Sequence, residues 1–341
     1  MGRFLLITTG GTIASTAAHG GFAAELKGSQ LLSGLPLAQN IGELTVADLF
    51  CKPSPQIGPS DWLALASYIA ERGPSFDGVL VLHGTDTMAY TAAALSFLLL
   101  GFPRPVALTG AMRAPSEPDA DGPANIADAL ISLKALAEAR QEGVWLVFGG
   151  RILCAAALKK RSYRSLQGFE TPALPWAGTV NAGRVCLDEK TLISMRRRPL
   201  PGLSLEQDVN PRVFGLTLHP GLTSATLMKT LSLADAFVLE SYGSGGGPAE
   251  GDCETLGFLD AAAEAGAPVI NVTPCTADGM KLARYHNGVL GLQHGLISGG
   301  SMTFEAALVK AMWLLPRCQD PASFKRAFQW TFCGEGAEER P

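Results

Sequence analysis

Two short polar bursts carry the residue types that could do chemistry. Thr9-Gly10-Gly11-Thr12 follows the apolar run Phe4-Leu5-Leu6-Ile7, and His83-Gly84-Thr85-Asp86-Thr87-Met88 follows Gly78-Val79-Leu80-Val81-Leu82. A glycine pair at the end of a buried strand lets the backbone turn tightly and approach a ligand, and a threonine set there is presented to whatever binds. A threonine hydroxyl is a poor nucleophile at neutral pH and needs a proton acceptor. Lysine can serve when burial and neighbours lower its pKa. Lys159-Lys160, after the apolar stretch Ile152–Leu158, is the candidate, and the competing reading is a solvated basic turn with Arg161 and Arg164. Thr85 and Asp86 open a helix whose N–H groups favour an anion, and either one would also satisfy a plain N-cap. His83 closes a buried run and reads as a satisfied core histidine.

Other chemistries lack their patterns. Thr-Gly-Gly-Thr alone is compatible with a tight turn in a nucleotide-type fold, but no G-x-G-x-x-G or G-K-[ST] sequence occurs. No G-x-S-x-G elbow is present. Asp119-Ala120-Asp121-Gly122 lacks the later glutamate of a calcium loop. Seven scattered cysteines without a C-x-x-C pair fit neither a disulfide framework nor structural zinc. No metal and no cofactor are expected.

The elements that must position these residues alternate. Strands at Phe4–Ile7, Gly78–Leu82, Val106–Thr109 and Val144–Phe148 are separated by helices over Asp61–Glu71, with Asp61 as its cap, Met88–Leu100 and Asn125–Arg140. Such alternation predicts a doubly wound, mostly parallel α/β sheet, with ligands beyond the carboxyl ends of its strands. Residues 16–34, with Gly20-Gly21, read as a loop able to act as a lid. Residues 168–211 lose periodicity and carry the basic run Arg196-Arg197-Arg198, read as a solvated linker. Strands at Val213–Leu218, Ala236–Leu239 and Pro268–Val272 then restart the alternation. Helices are expected near Leu222–Leu231, Glu254–Ala265, Thr303–Leu315 and Pro321–Thr331. The division is a larger N-terminal domain over 1–190, a linker over 191–211 and a smaller parallel α/β domain over 212–341.

Bulk properties fit this plan. The chain has 341 residues, 47% hydrophobic against 17% charged, with a formal net charge of −4. That gives no electrostatic case for nucleic acid or an anionic membrane. Four apolar residues after Arg3 are too few for a signal-peptide core, and no apolar run reaches membrane-spanning length, so a cytoplasmic location is expected.

Taken together, these residues resemble the bacterial-type L-asparaginases and related amidohydrolases. Thr9–Ala14 is similar to the family's first signature and His83–Met88 to its second. Gly110-Ala111-Met112-Arg113, Ala120–Asn125 and Gly300–Ala307 extend the resemblance over nearly the whole chain, and the last of these, with Leu239–Gly243, points to the type I, cytoplasmic branch. The resemblance implies two α/β domains and a small amino-acid amide as substrate. It implies Thr12 as the nucleophile that forms an acyl-enzyme from L-asparagine, with Thr85, Asp86 and Lys160 as the second catalytic group. Asp86 would also hold the substrate α-amino group, Ser54 its carboxylate, and the Ala111 carbonyl its amide. Gly11 and Thr85 would supply oxyanion N–H groups. A homodimer or homotetramer is implied too. The lid position holds Phe22, which can close a pocket but has no hydroxyl; Pro55 and Gly246 also depart from the family pattern. Those departures keep open a related substrate (glutamine, D-asparagine or an asparaginyl compound) and a catalytically weakened amino-acid-binding homologue.

Overall fold

Strand β1 (Gly2–Thr8) is the framework on which the first polar burst hangs, and Phe4 to Ile7 within it are almost wholly buried. The computed structural model describes residues 2–18, 21–24, 28, 30, 41–195 and 198–336, with 14–18 and 21–24 described in backbone only. The chain divides into two units, Met1–Arg197 and Arg198–Pro341.

In the first unit β1 is followed by a short antiparallel hairpin, β2 (Ser15–Ala18) and β3 (Gly21–Ala24), and by β4 (Gly42–Asp48). Apart from Gly28 and Gln30, the rest of the expected lid lies outside the described residues. Then come α1 (Pro59–Arg72), β5 (Gly78–Leu82), α2 (Met88–Leu98), β6 (Pro105–Thr109), α3 (Gly122–Glu138) and β7 (Gly143–Phe148). β8 (Arg151–Cys154), the two-residue strands β9 (Lys159–Lys160) and β10 (Phe169–Glu170), the hairpin β11 (Gly178–Asn181) and β12 (Arg184–Leu187), and α4 (Glu189–Ser194) complete it.

Eight of these strands form one sheet in the order β12-β11-β8-β7-β6-β5-β1-β4. The five strands from β4 to β7 are mutually parallel, and β8, β11 and β12 continue antiparallel. β5, β6 and β7 are buried at every position, as unbroken apolar runs require when both faces are covered. The alternation seen in the sequence therefore does encode a mostly parallel sheet. Three parts of it escaped that reading, and one is β8, which the sequence showed only as the start of the apolar stretch Ile152–Leu158. β4 is an edge strand with only Leu44, Val46 and Ala47 apolar, so it lacks a buried run. β11 and β12 have four residues each, too short for a period to show, inside the stretch read as aperiodic.

Three further boundaries differ from expectation. The cap of α1 is Gly58; Asp61 sits one turn in, accepts from Gly58 N at 3.1 Å and pairs with Lys52 at 2.6 Å. α2 begins at Met88 as expected but ends at Leu98 rather than Leu100, and α3 begins at Gly122 rather than Asn125.

The second unit has a four-stranded parallel sheet, β13 (Val213–Thr217), β14 (Ala236–Glu240), β15 (Val269–Val272) and β16 (Ile297–Ser298), in that order. Its helices are α5 (Ser224–Met228), α6 (Leu256–Glu264), α7 (His286–Gln293), α8 (Phe304–Leu314) and α9 (Pro321–Gln329). Phe237 and Phe258, rings 5.1 Å apart and edge-on, centre its core. Residues 198–211 bond within this unit: Arg198 N donates to Phe332 O, and the Arg317 guanidinium to the Ser204, Glu206 and Asp208 carbonyls. Arg196 and Arg197 lie outside the described residues.

Candidate active site

Strand register brings the polar bursts level. Thr8 pairs with Asp48 on one side and Leu82 on the other, and Leu82 pairs with Thr109. The segments leaving β4, β1, β5 and β6 therefore start from one row and carry Ser54, Thr12, Thr85-Asp86 and Ala111. From β1 the chain moves to β4, whereas from β5 it moves the opposite way, to β6. Such a reversal opens a crevice at the carboxyl ends of the two strands, here between the Thr12 and Thr85 turns.

The two turns meet backbone to backbone. Gly10 and Gly11 have φ of +98° and +87°, a region glycine alone enters freely. A Cβ on Gly11 would sit 2.3 Å from Gly84 Cα and 2.4 Å from Gly84 N, and one on Gly10 would sit 2.6 Å from Lys52 N. Lys52 N donates to Thr9 O at 3.0 Å, and Thr9 donates N–H and Oγ1 to Leu82 O at 3.1 and 2.9 Å. Close approach, as well as the turn itself, requires these glycines. Thr12 follows directly, partly exposed, at the start of a single helical turn, Thr12–Ala14.

Lys160 reaches across to the second burst. Its Nζ lies 2.8 Å from Thr85 Oγ1 and 2.6 Å from Asp86 Oδ1. The Lys160 side chain is 18% exposed and that of Asp86 63%, so the pair spans the change from protein to solvent. β9 pairs with β10 so that Lys160 lies opposite Phe169, whose ring packs edge-on to Phe148 at 5.2 Å. The antiparallel pairing thus fixes the backbone that carries the lysine. A solvated basic turn does not describe it. Nor do Thr85 and Asp86 cap α2: they precede its N-cap, Thr87, and Thr87 makes no capping bond.

Ser54 is buried and joins the same cluster. Its Oγ accepts from Asp86 N at 3.2 Å, and its carbonyl accepts from Thr87 Oγ1 at 2.6 Å. The sequence marked Thr87 only as part of a motif; its role in holding Ser54 depends on a contact across 33 positions. Ala111 is buried beside Gly122, where a Cβ would lie 3.5 Å from that of Ala111 and 3.2 Å from Ile13 Cγ1. Hydrogen bonds so link Ser54, Asp86, Lys160 and Thr85 directly, Gly11 joins them through Gly84, and Ala111 and Thr12 through other neighbours. The backbone of Phe22 pairs with Ala17, and its side chain is outside what is described.

His83 is buried, as expected, but only half satisfied. Nδ1 bonds Gly84 O at 2.7 Å, while Nε2 has no partner among the described residues. Burial drives its pKa down from the ordinary 6.5 to about 4, against the opposing Gly84 bond, so the ring is neutral at pH 7. No cluster of three His, Cys, Asp or Glu side chains suited to a metal occurs among the described residues, and no helix there is long and apolar enough to cross a membrane.

Comparison with known proteins places the whole chain. Residues 3–192 match the family model for the N-terminal asparaginase domain, and residues 212–328 that for the glutaminase/asparaginase C-terminal domain. An L-asparaginase of Thermococcus kodakarensis is 31% identical over 98% of both chains. Its solved structure superposes with a TM-score of 0.85, covering 98% of this chain and 99% of that one. The L-asparaginase I of Vibrio cholerae, 28% identical, superposes at 0.84 with the same coverage. One component of the glutamyl-tRNA(Gln) amidotransferase of Aeropyrum pernix is 31% identical over 98% of this chain and 80% of that protein.

Proposed function

The chain belongs to the asparaginase family and is an amidohydrolase, and on that premise we propose that it hydrolyses L-asparagine to L-aspartate and ammonia with Thr12 as nucleophile. The observation that supports this most is the Lys160 ammonium position, within hydrogen-bond reach of both Thr85 Oγ1 and Asp86 Oδ1. In the proposed first step Thr12 Oγ attacks the side-chain amide carbon and its proton passes to the amide nitrogen. The C–N bond then breaks, ammonia leaves, and an aspartyl ester of Thr12 remains. In the second step water adds to the ester carbon. Thr85 Oγ1, held by Lys160 Nζ, accepts from that water and orients it, and the water's proton passes to Thr12 Oγ as the ester opens. Breaking the ester C–O bond frees aspartate and restores Thr12.

Binding follows the same proposal. Asp86 holds the substrate ammonium, Ser54 its α-carboxylate, and the Ala111 carbonyl the amide N–H. The Gly11 and Thr85 amides stabilise the oxyanion. The reaction is assigned to the cytoplasm and to a homo-oligomer, with residues 1–190 carrying the catalytic groups.

Ammonia release from L-asparagine, measured beside Thr12→Ala, Thr85→Ala and Lys160→Met, tests the assignment. Each variant should fall by roughly 10²–10⁴-fold, the range for loss of one catalytic group. Equal release from all four proteins refutes it. Glutamine, D-asparagine or an asparaginyl peptide turning over faster than asparagine would replace the substrate and leave the chemistry. Aspartate raising Tm without turnover would mark a binding homologue instead.

A further inference from the structure

Asp121 stands immediately before α3, where a carboxylate ordinarily caps its own helix, yet it makes no capping bond. Its oxygens turn back to the strand end instead. Both lie 3.0 Å from Met112 N, Oδ1 is 2.9 Å from Arg113 N, and Oδ2 accepts from Asn125 Nδ2 at 3.0 Å. Asn125 is buried inside α3, where asparagine is a weak helix former. Its Nδ2 also donates to Gly110 O at 2.9 Å and its Oδ1 accepts from Gly149 N at 3.1 Å, tying the ends of β6 and β7 to α3.

The geometry points to Asp121 and Asn125 as positioning residues that aim the Ala111 carbonyl at the substrate. Met112 N–H and Ala111 C=O belong to one planar trans peptide and point in opposite directions. Both oxygens of Asp121 grip that N–H, so the carbonyl is directed away from α3 at a fixed angle. A carboxylate bonded to the N–H also polarises the amide and makes its carbonyl a stronger acceptor. Asn125 pins the preceding peptide by its Gly110 oxygen, which leaves the Ala111 peptide little freedom to rotate. The inference rests on the reading that the Ala111 carbonyl accepts from the scissile amide.

That reading supplies a test which a merely structural role would not pass. L-Asparagine has an N–H to offer the carbonyl; L-aspartate β-methyl ester has none. The two substrates form the same acyl-enzyme and release the same product, so kcat/KM for each can be followed by aspartate. Asp121→Asn keeps the side-chain shape and removes the charge, and Asn125→Ala removes the second tie. Each should lower the amide-to-ester ratio of kcat/KM by about 10–10²-fold, as a misaimed contact does. Hydrogen exchange at Met112 and Arg113 should quicken in Asp121→Asn while the strands stay protected. A parallel fall on both substrates, or an unchanged ratio, overturns the inference. Unchanged exchange at residues 112 and 113 overturns it independently of activity. Quickened exchange in a protein whose wild type ignores asparagine refutes the substrate reading alone.

Discussion

Gly11→Ala tests the backbone contact that sets the site. Two penalties act at that position and can be separated. The first is conformational: φ is +87°, and an L-residue in this region costs about 1–2 kcal/mol. The second is steric. The new Cβ would stand 2.3 Å from Gly84 Cα, where ordinary contact begins near 3.4 Å, so the two turns must part by ~1 Å. Overpacking of that kind costs about 1–3 kcal/mol, giving roughly 2–5 kcal/mol in all. Gly183, in the β11–β12 turn, is the control: φ is +73° with nothing within 4 Å of a Cβ, so Gly183→Ala meets only the first penalty. Urea unfolding should place Gly11→Ala about 1–3 kcal/mol below Gly183→Ala. Activity should diverge further, because ~1 Å between Thr12 and Thr85 costs on the order of 10²-fold in kcat. Gly183→Ala should keep wild-type kcat. If Gly11→Ala is no less stable than the control and turns over asparagine within about threefold of wild type, the two turns are not held by contact and the reasoning fails.

Two further outcomes follow from buried charge chemistry. Between pH 6.5 and about 4 the unfolded chain protonates His83 and the folded chain does not, so folded-state stability is full above that window and falls as pH drops through it. The loss reaches ~3 kcal/mol by pH 4, and urea midpoints at pH 7 and 4 should show His83→Gln losing correspondingly less. In the second unit Lys310 and Glu335 are each 1% exposed and meet at 2.6 Å. Burial raises the Glu335 carboxyl, but the Lys310 ammonium and the Phe332 and Cys333 amides more than offset this and hold it below 4.5. Lys310→Met leaves that charge buried alone and should cost about 3–5 kcal/mol, whereas adding Glu335→Gln should recover much of the loss. Denaturant unfolding of the single and double variants decides it, and equal losses would mean the pair is not coupled.

The framework of the larger sheet was legible because its central strands are uninterrupted apolar runs followed by glycine and hydroxyl residues. Read from the residues alone Lys160 was one of two lysines, and the resemblance picked it out; its contact with Thr85 spans 75 positions that no local pattern encodes. The Gly11–Gly84 contact is hidden for the same reason: each glycine alone is a turn, and only strand register brings them together. Ser54 reached the site by resemblance, since the strand that delivers it, β4, has too little apolar character to declare itself. Alternation of Leu44 and Val46 with Glu43 and Thr45 was the available signal.

Helix starts carry a distinction that composition does not. Asp188, Thr223, Thr303 and Asp320 each accept an amide of their own helix, at 2.7 to 3.3 Å, as residues selected for local stability should. Thr87 and Asp121 occupy the same position before α2 and α3 and do not. Each forgoes a contribution of about 1 kcal/mol to bind another segment: Thr87 the Ser54 carbonyl, Asp121 the Met112 and Arg113 amides. Diversion alone is not diagnostic, because Thr255 before α6 also turns away, to Pro248 O. What separates Thr87 and Asp121 is placement. Their targets, Ser54 after β4 and Met112 and Arg113 after β6, leave the same strand row that presents Thr12 and Thr85. Local stability surrendered twice at one end of one sheet is the mark of residues held for chemistry.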